Sequence, residues 1–570
     1  MIEVIQGIRR VLTPKDKFCL LTVVFLLCIG ALMEIAGLGL LMPIVAAFSK
    51  MELFEQNAAL RFFRRLFSMF NDKDFLLICC GLVVLLYIIK NLWLFVIMRI
   101  YTAFVYDRLS EIACRLYSGF LHSRYGYFAD NGKIELYSVI QKTEQMCSMV
   151  LLPAMHMAVD VLTIVFISGM LLFSIPFIVL GCIALFSLGS LLIYLPCRKI
   201  SWMTGLRMNE LITRLNKISL YSFEDIKSVK IIVLEEYFSA KWSCERKDKS
   251  RMDTRFYMLG QVPRLVLETL AVFSALSILG IMLWRGVAVG TVILSFSLLI
   301  AAMSRLLPAI NRINYSLNMI RCGKVIFKEI IDSLNFEHED LGDLHKTLKF
   351  QKSIRVENLS FSYPGSGKKI IDNLSFEIKR NTSLAVVGPT GGGKSTLIDL
   401  LLGLYRPDGG TVQVDGCNIY EAIGAWRKLI GFVPQFIVLA DASIAENVAV
   451  GVEKEKIDIS RVRQVLRIAQ LEQFADSLPE GLNTLIGENG MRLSGGQRQR
   501  LGIARALYRD PEIIIFDEAT SALDNETEQA LMDAVEQLHG FKTLIMVAHR
   551  LSTVEKCEQR IEIKPAGRCL

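Results

Sequence analysis

Along the first 330 residues the apolar positions do not alternate with polar ones; they run together. Six long stretches stand out, near Phe18–Phe48, Phe75–Met98, Val150–Phe173, Ile175–Tyr194, Met258–Trp284 and Val289–Pro308. A helix that crosses a bilayer needs about 20 apolar residues, so each stretch is long enough to span. The first, at about 30 residues, predicts a helix that tilts or projects beyond the hydrocarbon. Runs three and four are parted by Ser174 and runs five and six by Arg285–Ala288, which predicts tight hairpins on one side. The remaining long connections, about 50 and 60 residues, are polar with helical periodicity. They predict helices that continue well past the membrane on the other side.

After residue 330 the texture changes. Residues 333–352 are charged and punctuated, with Glu337, Glu339, Asp340, Gly342 and Asp343, and read as a connector. Beyond them short β-rich runs (Ile354–Val356, Leu384–Val387, Ile513–Phe516, Leu544–Val547) alternate with helical stretches. That alternation predicts an α/β domain with a mostly parallel sheet.

Composition agrees. The 570 residues are 52% hydrophobic and 21% charged, and mean hydropathy is +0.42. This mix excludes a disordered chain, a collagen and a disulfide-rich secreted scaffold. The net charge of +8, from 64 basic and 56 acidic residues, is mild and does not call for nucleic acid. Lys and Arg also collect in the cytoplasmic loops of membrane proteins. The 13 cysteines include no CxxC pair and read as small hydrophobes in a reducing compartment. Arg9, Arg10, Lys15 and Lys17 precede an apolar run too long for a signal-peptide core, with no A-x-A site.

The chemistry sits in the second half. Gly388-Pro389-Thr390-Gly391-Gly392-Gly393-Lys394-Ser395, followed by Thr396, matches the phosphate-binding loop. It follows the strand Leu384–Val387 and opens a helix, the context the motif requires. Glycines let backbone N–H groups point into one concavity, and the helix N-terminus adds positive potential. Lys394 is expected to reach the β- and γ-phosphates and Ser395 to ligate Mg²⁺. The apolar run Ile513–Phe516 ends in Asp517 and Glu518. Asp517 suits Mg²⁺, and Glu518 suits orienting or deprotonating water. These residues predict ATP and Mg²⁺ as cofactors.

Leu493-Ser494-Gly495-Gly496-Gln497, with its glutamine 20 residues before Asp517, resembles the signature of ABC-type ATPases. The rest of that family's set is present. Tyr363 resembles the aromatic that stacks on adenine, and Gln435 resembles the Q-loop glutamine, a further Mg²⁺ ligand. Asp524 resembles the D-loop aspartate, and His549 the switch histidine. Gly487-Glu488-Asn489-Gly490 resembles the loop by which exporters contact the membrane domain. The resemblance covers the whole chain and implies an α-helical six-span membrane domain (1–330), a linker (331–347) and an α/β P-loop ABC ATPase domain (348–570). It also implies a multi-pass inner-membrane exporter with its nucleotide-binding domain in the cytoplasm. One departure is the C-terminus: strand Arg560–Ile563 and turn Pro565–Gly567 are present, without the helix most relatives carry. In this family the signature of one chain closes on ATP held by another, so one loop and one signature imply a homodimer.

Charges inside spans cost about 2.5–3.5 kcal/mol each on insertion scales. Lys90, Arg264 and Arg305 interrupt three runs. Lys90 lies about 22 Å and Arg305 about 24 Å from the outer ends of their runs, and Arg264 about 30 Å before Trp284. The three therefore share an inner depth, suited to an anionic headgroup. They equally suit snorkelling, and Arg264 with Glu268 suits mutual neutralisation. Glu34, His156 and Asp160 read as helix-to-helix hydrogen-bonding groups. Val262-Pro-Arg-Leu-Val-Leu-Glu268 and Arg305-Leu-Leu-Pro-Ala-Ile-Asn-Arg312 resemble PglK-type lipid-linked oligosaccharide flippases. That resemblance implies a pyrophosphate-linked lipid cargo, with a peptide, glycolipid or hydrophobic drug as the alternative. Leu53, Leu60, Phe63, Phe67 and Phe70 form an amphipathic pattern at the position of that group's external helix. A peptide exporter that trims its cargo would carry an N-terminal protease domain, which the 17 residues before Phe18 do not supply.

Overall fold

A computed structural model describes residues 14–49, 72–174, 176–286, 289–342, 347–518, 535–547 and 557–564. The amphipathic segment 53–70, Asp524, His549 and the turn at 565–567 lie outside the described residues, as does the side chain of Glu34. The chain divides into two compact units, Met1–Ser123 with Asn131–Glu337, and Arg124–Asp130 with His338–Leu570.

The first unit is helical. Its elements are α1 (Pro14–Ser49), α2 (Asp72–Leu121), α4 (Lys133–Met146), a π-helical turn (Cys147–Leu151), α5 (Leu152–Ser174), α6 (Pro176–Glu224), α7 (Ile226–Ile231), α8 (Glu235–Trp284) and α9 (Val289–Ser333). Helix α3 (Tyr125–Asn131) folds with the second unit as far as Asp130. All six apolar runs lie on helices. Four stretches among the described residues are long and apolar enough to cross a membrane: Pro14–Met33, Cys80–Leu121, Lys133–Met170 and Glu235–Trp284. Helix α2 has 50 residues, about 75 Å at 1.5 Å per residue, more than twice the ~30 Å hydrocarbon core. Its polar second half is the predicted projection. Large apolar side chains such as Phe18, Leu21, Phe95 and Phe273 are exposed, as lipid-facing surfaces must be.

Polar groups join these helices. Asp160 on α5 is buried and accepts from Arg312 on α9 through Nε (3.0 Å) and Nη2 (2.6 Å). His156 lies edge-on to Tyr101, centroids 5.8 Å apart. Pro263 interrupts α8 and, having no N–H, releases the carbonyl of Leu259 four residues back. Asn318 of α9 donates to that carbonyl at 2.9 Å. The side-chain oxygen of Asn318 accepts from Ser201 of α6 at 3.2 Å, and the Cys322 thiol donates to the Ser201 carbonyl at 3.1 Å. Gly205 permits this approach: a β-carbon there would lie 2.5 Å from the Cys322 carbonyl oxygen.

The second unit holds two sheets. The parallel one has five strands in the order β6 (Ile430–Val433), β7 (Ile513–Asp517), β8 (Thr543–Val547), β3 (Ser383–Val387) and β9 (Gln559–Glu562). Register is continuous, with Val433 opposite Phe516 and Phe516 opposite Met546. The other is antiparallel, in the order β2 (Lys369–Lys379), β1 (Ser353–Ser362), β4 (Gly409–Val414) and β5 (Cys417–Asn418). The strand reading of the sequence found β1 but not this separate sheet. Helix α10 (Lys394–Leu401) follows β3, and α11 (Gly495–Tyr508) precedes β7. Trp426 is fully buried beneath α10 and donates its indole N–H to the Leu401 carbonyl at 2.7 Å.

The Asp160–Arg312 pair yields a test. Changing Arg312→Met should destabilise the helical unit by less than the about 3–5 kcal/mol of a fully buried pair, because the Arg312 side chain is 58% exposed. Adding Asp160→Asn should restore most of that loss, read as melting temperature in detergent.

Candidate functional site

The site forms at the carboxyl ends of the parallel strands, where open α/β sheets bind ligands. Strand β3 is buried throughout and held between β8 and β9. At its end Gly388 brings backbone against backbone: a β-carbon there would lie 2.5 Å from the Ile563 carbonyl oxygen. Gly393 caps α10 at φ 103°, a conformation that favours glycine. Between them the loop wraps Lys394, whose residue is 4% exposed. Its ammonium donates to the carbonyls of Gly388 (3.0 Å) and Pro389 (3.2 Å). Ser395 is exposed on the first turn of α10 and Thr396 is buried.

Strand β7 delivers the carboxylates. Glu518 follows it at φ 48°, an uncommon conformation for a residue with a side chain. Gln435, just after β6, donates to Glu518 Oε2 at 2.9 Å. The structure thus brings the loop, Gln435, Asp517 and Glu518 to one end of the sheet. Burial pushes the Asp517 carboxyl up, Glu518 adds to the rise, and Lys394 opposes it. Asp399 on α10 is pushed up to about 6 by burial and by Asp517. Asp517 Oδ1 is buried without a hydrogen-bond partner among the described residues. A buried carboxylate oxygen beside other acids is where a divalent cation fits, and Ser395 and Gln435 offer neutral oxygens for the same ion.

The signature opens α11. Ser494 is its N-cap, accepting from the Gln497 N–H at 3.2 Å, while Gln497 Oε1 accepts from the Ser494 N–H at 2.8 Å. This capping box fixes the helix start. Leu493 and Gly496 are buried, whereas Ser494 and Gly495 are exposed. Among the described residues, nothing outside its own helix would lie within 4 Å of a β-carbon at Gly495.

Tyr363 is held from several sides. Its hydroxyl is 3.1 Å from the Thr396 hydroxyl. Its ring meets Phe361 at 5.2 Å and Tyr405 at 5.5 Å, both edge-to-face. Tyr405 also meets Phe361 at 5.5 Å and, edge-to-face, Tyr125 of α3 at 5.6 Å. Sequence reasoning passed over Tyr405 because Leu404-Tyr405-Arg406-Pro407 looks like an ordinary helix exit. An aromatic just after the loop's own helix was the available signal.

In the helical unit Lys90 is 3% exposed. Its ammonium lies 5.1 Å from the Tyr87 ring centroid, and the Arg305 guanidinium lies 5.5 Å from the same centroid. Two of the three candidate cations therefore converge on one ring. Arg264 is on α8 and donates to Glu268 at 2.8 Å, the neutralising pair that its spacing allowed.

These features define a P-loop ATPase joined to a multi-pass membrane unit. Residues 371–521 match the ABC transporter family model. An ATP-dependent lipid A-core flippase of Burkholderia pseudomallei is 30% identical over 81% of this chain and 77% of its own length. One from Dechloromonas aromatica is 31% identical over 61% of this chain; the alignment spans 60% of that relative. A solved bacterial Atm1-family ABC exporter superposes with a TM-score of 0.79, covering 96% of this chain and 93% of its own, at 20% identity. The chain belongs to the ABC transporter family: it is an exporter half-transporter, whose ATPase domain hydrolyses ATP.

Tyr405 is testable as the support of the Tyr363 ring. An edge-to-face pair contributes about 0.5–1.5 kcal/mol. Changing Tyr405→Ala should raise the KM for ATP about 2–10-fold with kcat nearly unchanged, and Tyr405→Phe should restore it. Steady-state ATPase assays decide this.

Proposed function

We propose that two copies of this chain form an ATP-driven flippase for an anionic, amphipathic lipid, with a pyrophosphate-linked oligosaccharide lipid as first choice. The observation that carries the cargo is the pairing of Lys90 and Arg305 over Tyr87 at an inner depth of the apolar runs. Cations set within apolar runs are functional candidates, because they are costly to place there. Charge-assisted hydrogen bonds to a phosphate are stronger there than in water. Arg264 would contribute after exchanging Glu268 for the headgroup. The curated relatives are named for flipping lipid A-core, and that cargo is the second reading.

For hydrolysis, Tyr363 would stack on adenine, and the backbone of Gly388–Thr396 with Lys394 would hold the phosphates. Asp517, Ser395 and Gln435 would hold Mg²⁺, which when bound neutralises charge on the phosphate oxygens. Glu518 would orient the attacking water and take its proton, and His549 and Asp524 would complete the site. The nucleotide-binding domain (348–570) would lie in the cytoplasm, beneath membrane domain 1–330 and linker 331–347.

A second copy is supported by exposed chemistry. Ser494 and Gly495 open a helix whose N-terminal N–H groups suit a γ-phosphate held by the partner. Phe223 at the end of α6, Ile231 at the end of α7, and Ile232 and Val233 in the turn before α8 are exposed, and so are Phe436 and Met491. Apolar groups far from the lipid-facing belt mark an interface.

Two measurements test this. Glu518→Gln should retain ATP binding, lose ATP turnover by about 10²–10⁴-fold and trap a closed dimer. Turnover near wild type would sink the role of Glu518. Arg305→Ala and Arg264→Ala, in liposomes, should lower ATP-dependent flipping of a fluorescent pyrophosphate-linked oligosaccharide lipid while basal ATPase persists. Wild-type flipping in both variants would move the cargo away from that lipid. Faster flipping of lipid A-core in the same vesicles would favour the second reading.

A further inference from the structure

The helical unit holds an apolar cavity that neither the ATPase chemistry nor the cargo cations use. Its volume is about 220 Å³, and its walls come from α1, α2, the π-helical turn with its flanks, α5 and α9. Leu20, Phe104, Met155 and Phe327 line it, along with Ala154 and Ala158. That volume is below the about 300–1,000 Å³ of sites for compact drug-sized ligands and suits a narrow chain. Two features create the room. The π-helical turn Cys147–Leu151 displaces the following helix relative to a regular α-helix, a distortion frequent at functional sites. Ala154 and Ala158, one helical turn apart, then present methyl groups where larger side chains would fill the space.

Among the described residues the charged one in the wall is Arg108. Its Nη1 binds Asp16 at 3.3 Å and also Glu111. Its Nε is buried and has no hydrogen-bond partner among the described residues. A buried N–H left without an acceptor costs about 1–3 kcal/mol, so an occupant offering an acceptor oxygen is favoured over a plain alkane. The acceptor need not be charged, because Asp16 and Glu111 already balance the guanidinium. Lys15 and Lys17 flank Asp16 on the first turn of α1 and are exposed. They add positive charge near the cavity at the polar end of the apolar runs.

We propose that this cavity binds one acyl chain of an anionic glycerophospholipid of the cytoplasmic leaflet. The chain fills the apolar space, its ester carbonyl accepts from Arg108 Nε, and its headgroup meets Lys15 and Lys17. The leaflet rests on the orientation proposed above, with the nucleotide-binding domain in the cytoplasm. The occupancy itself does not depend on that orientation or on the cargo. Such a lipid would be resident, separate from the lipid that is moved.

The test uses the full chain purified in detergent, with phosphatidylglycerol, phosphatidylcholine and free palmitate as probes. Native mass spectrometry should show phosphatidylglycerol retained in preference to phosphatidylcholine. Ala158→Phe fills the cavity and should cut that retention about ten-fold or more. Ala154→Leu, a milder filling, should cut it less. Arg108→Lys keeps a cation for Asp16 and Glu111 but removes Nε, and should cut it about five-fold. Each variant is first matched to wild type in melting temperature without added lipid, so that misfolding is separated from lost binding. Should Ala158→Phe fold poorly, the same comparison is read from Ala154→Leu. Unchanged retention in the filled variants overturns the site. Equal retention of the two phospholipids overturns the headgroup assignment, and retention of palmitate alone overturns the glycerophospholipid. Flipping assays run in parallel keep this outcome apart from that for Arg264 and Arg305.

Discussion

A backbone carbonyl that loses its helical partner where other helices pack against it must find another donor, because an unpaired packed polar group is costly. That constraint organises the helical unit. It forces each apolar run to be helical from end to end. It makes Pro263 an event with consequences: the Leu259 carbonyl is released, and Asn318 of a different helix must reach it. Asn318 in turn accepts from Ser201 on a third helix. One missing N–H thereby dictates how three long helices are joined. Gly205 is needed because the joint leaves no space for a β-carbon.

The nucleotide unit rests on a different economy. Parallel strands put their carboxyl ends on one side, so a loop after β3 and carboxylates after β7 meet although they lie more than 100 residues apart in sequence. The loop is already shaped by its own lysine, which binds the carbonyls of Gly388 and Pro389. Negative charge gathers around it, at Asp517 and Glu518 after β7 and at Asp399 on the loop's own helix. The site is thus polarised by Lys394 and by three acids that meet at one end of the sheet. Tyr363 is fixed the same way, by neighbours rather than by a nucleotide.

Much of this was legible in the chain. The six apolar runs need only length and composition, and glycine spacing with a following Lys-Ser identifies the loop. What escaped depends on contacts between distant segments. The antiparallel sheet pairs Ser353–Ser362 with Gly409–Val414, and neither strand alternates cleanly enough to reveal its partner. Arg312 closes the motif that begins at Arg305, yet only the packing of α9 on α5 shows that Asp160 holds it. Tyr405 carries no local signature of importance; its weight comes from the three rings it touches. The convergence of Lys90 and Arg305 was half legible. Rise per residue gives a common depth, but not that Tyr87 lies between them.

The joint at Asn318 differs from the Asp160–Arg312 link in one further respect. All its members are neutral: an amide, a hydroxyl, a thiol and two backbone carbonyls. A transmembrane voltage acts on a moving elementary charge with about 2.3 kcal/mol per 100 mV, and dissolved salt screens charges in the same indiscriminate way. Neither has a net charge to act on at Asn318. The joint is therefore electrically silent, whereas Lys90 and Arg305, on neighbouring helices, are cations on which a field acts.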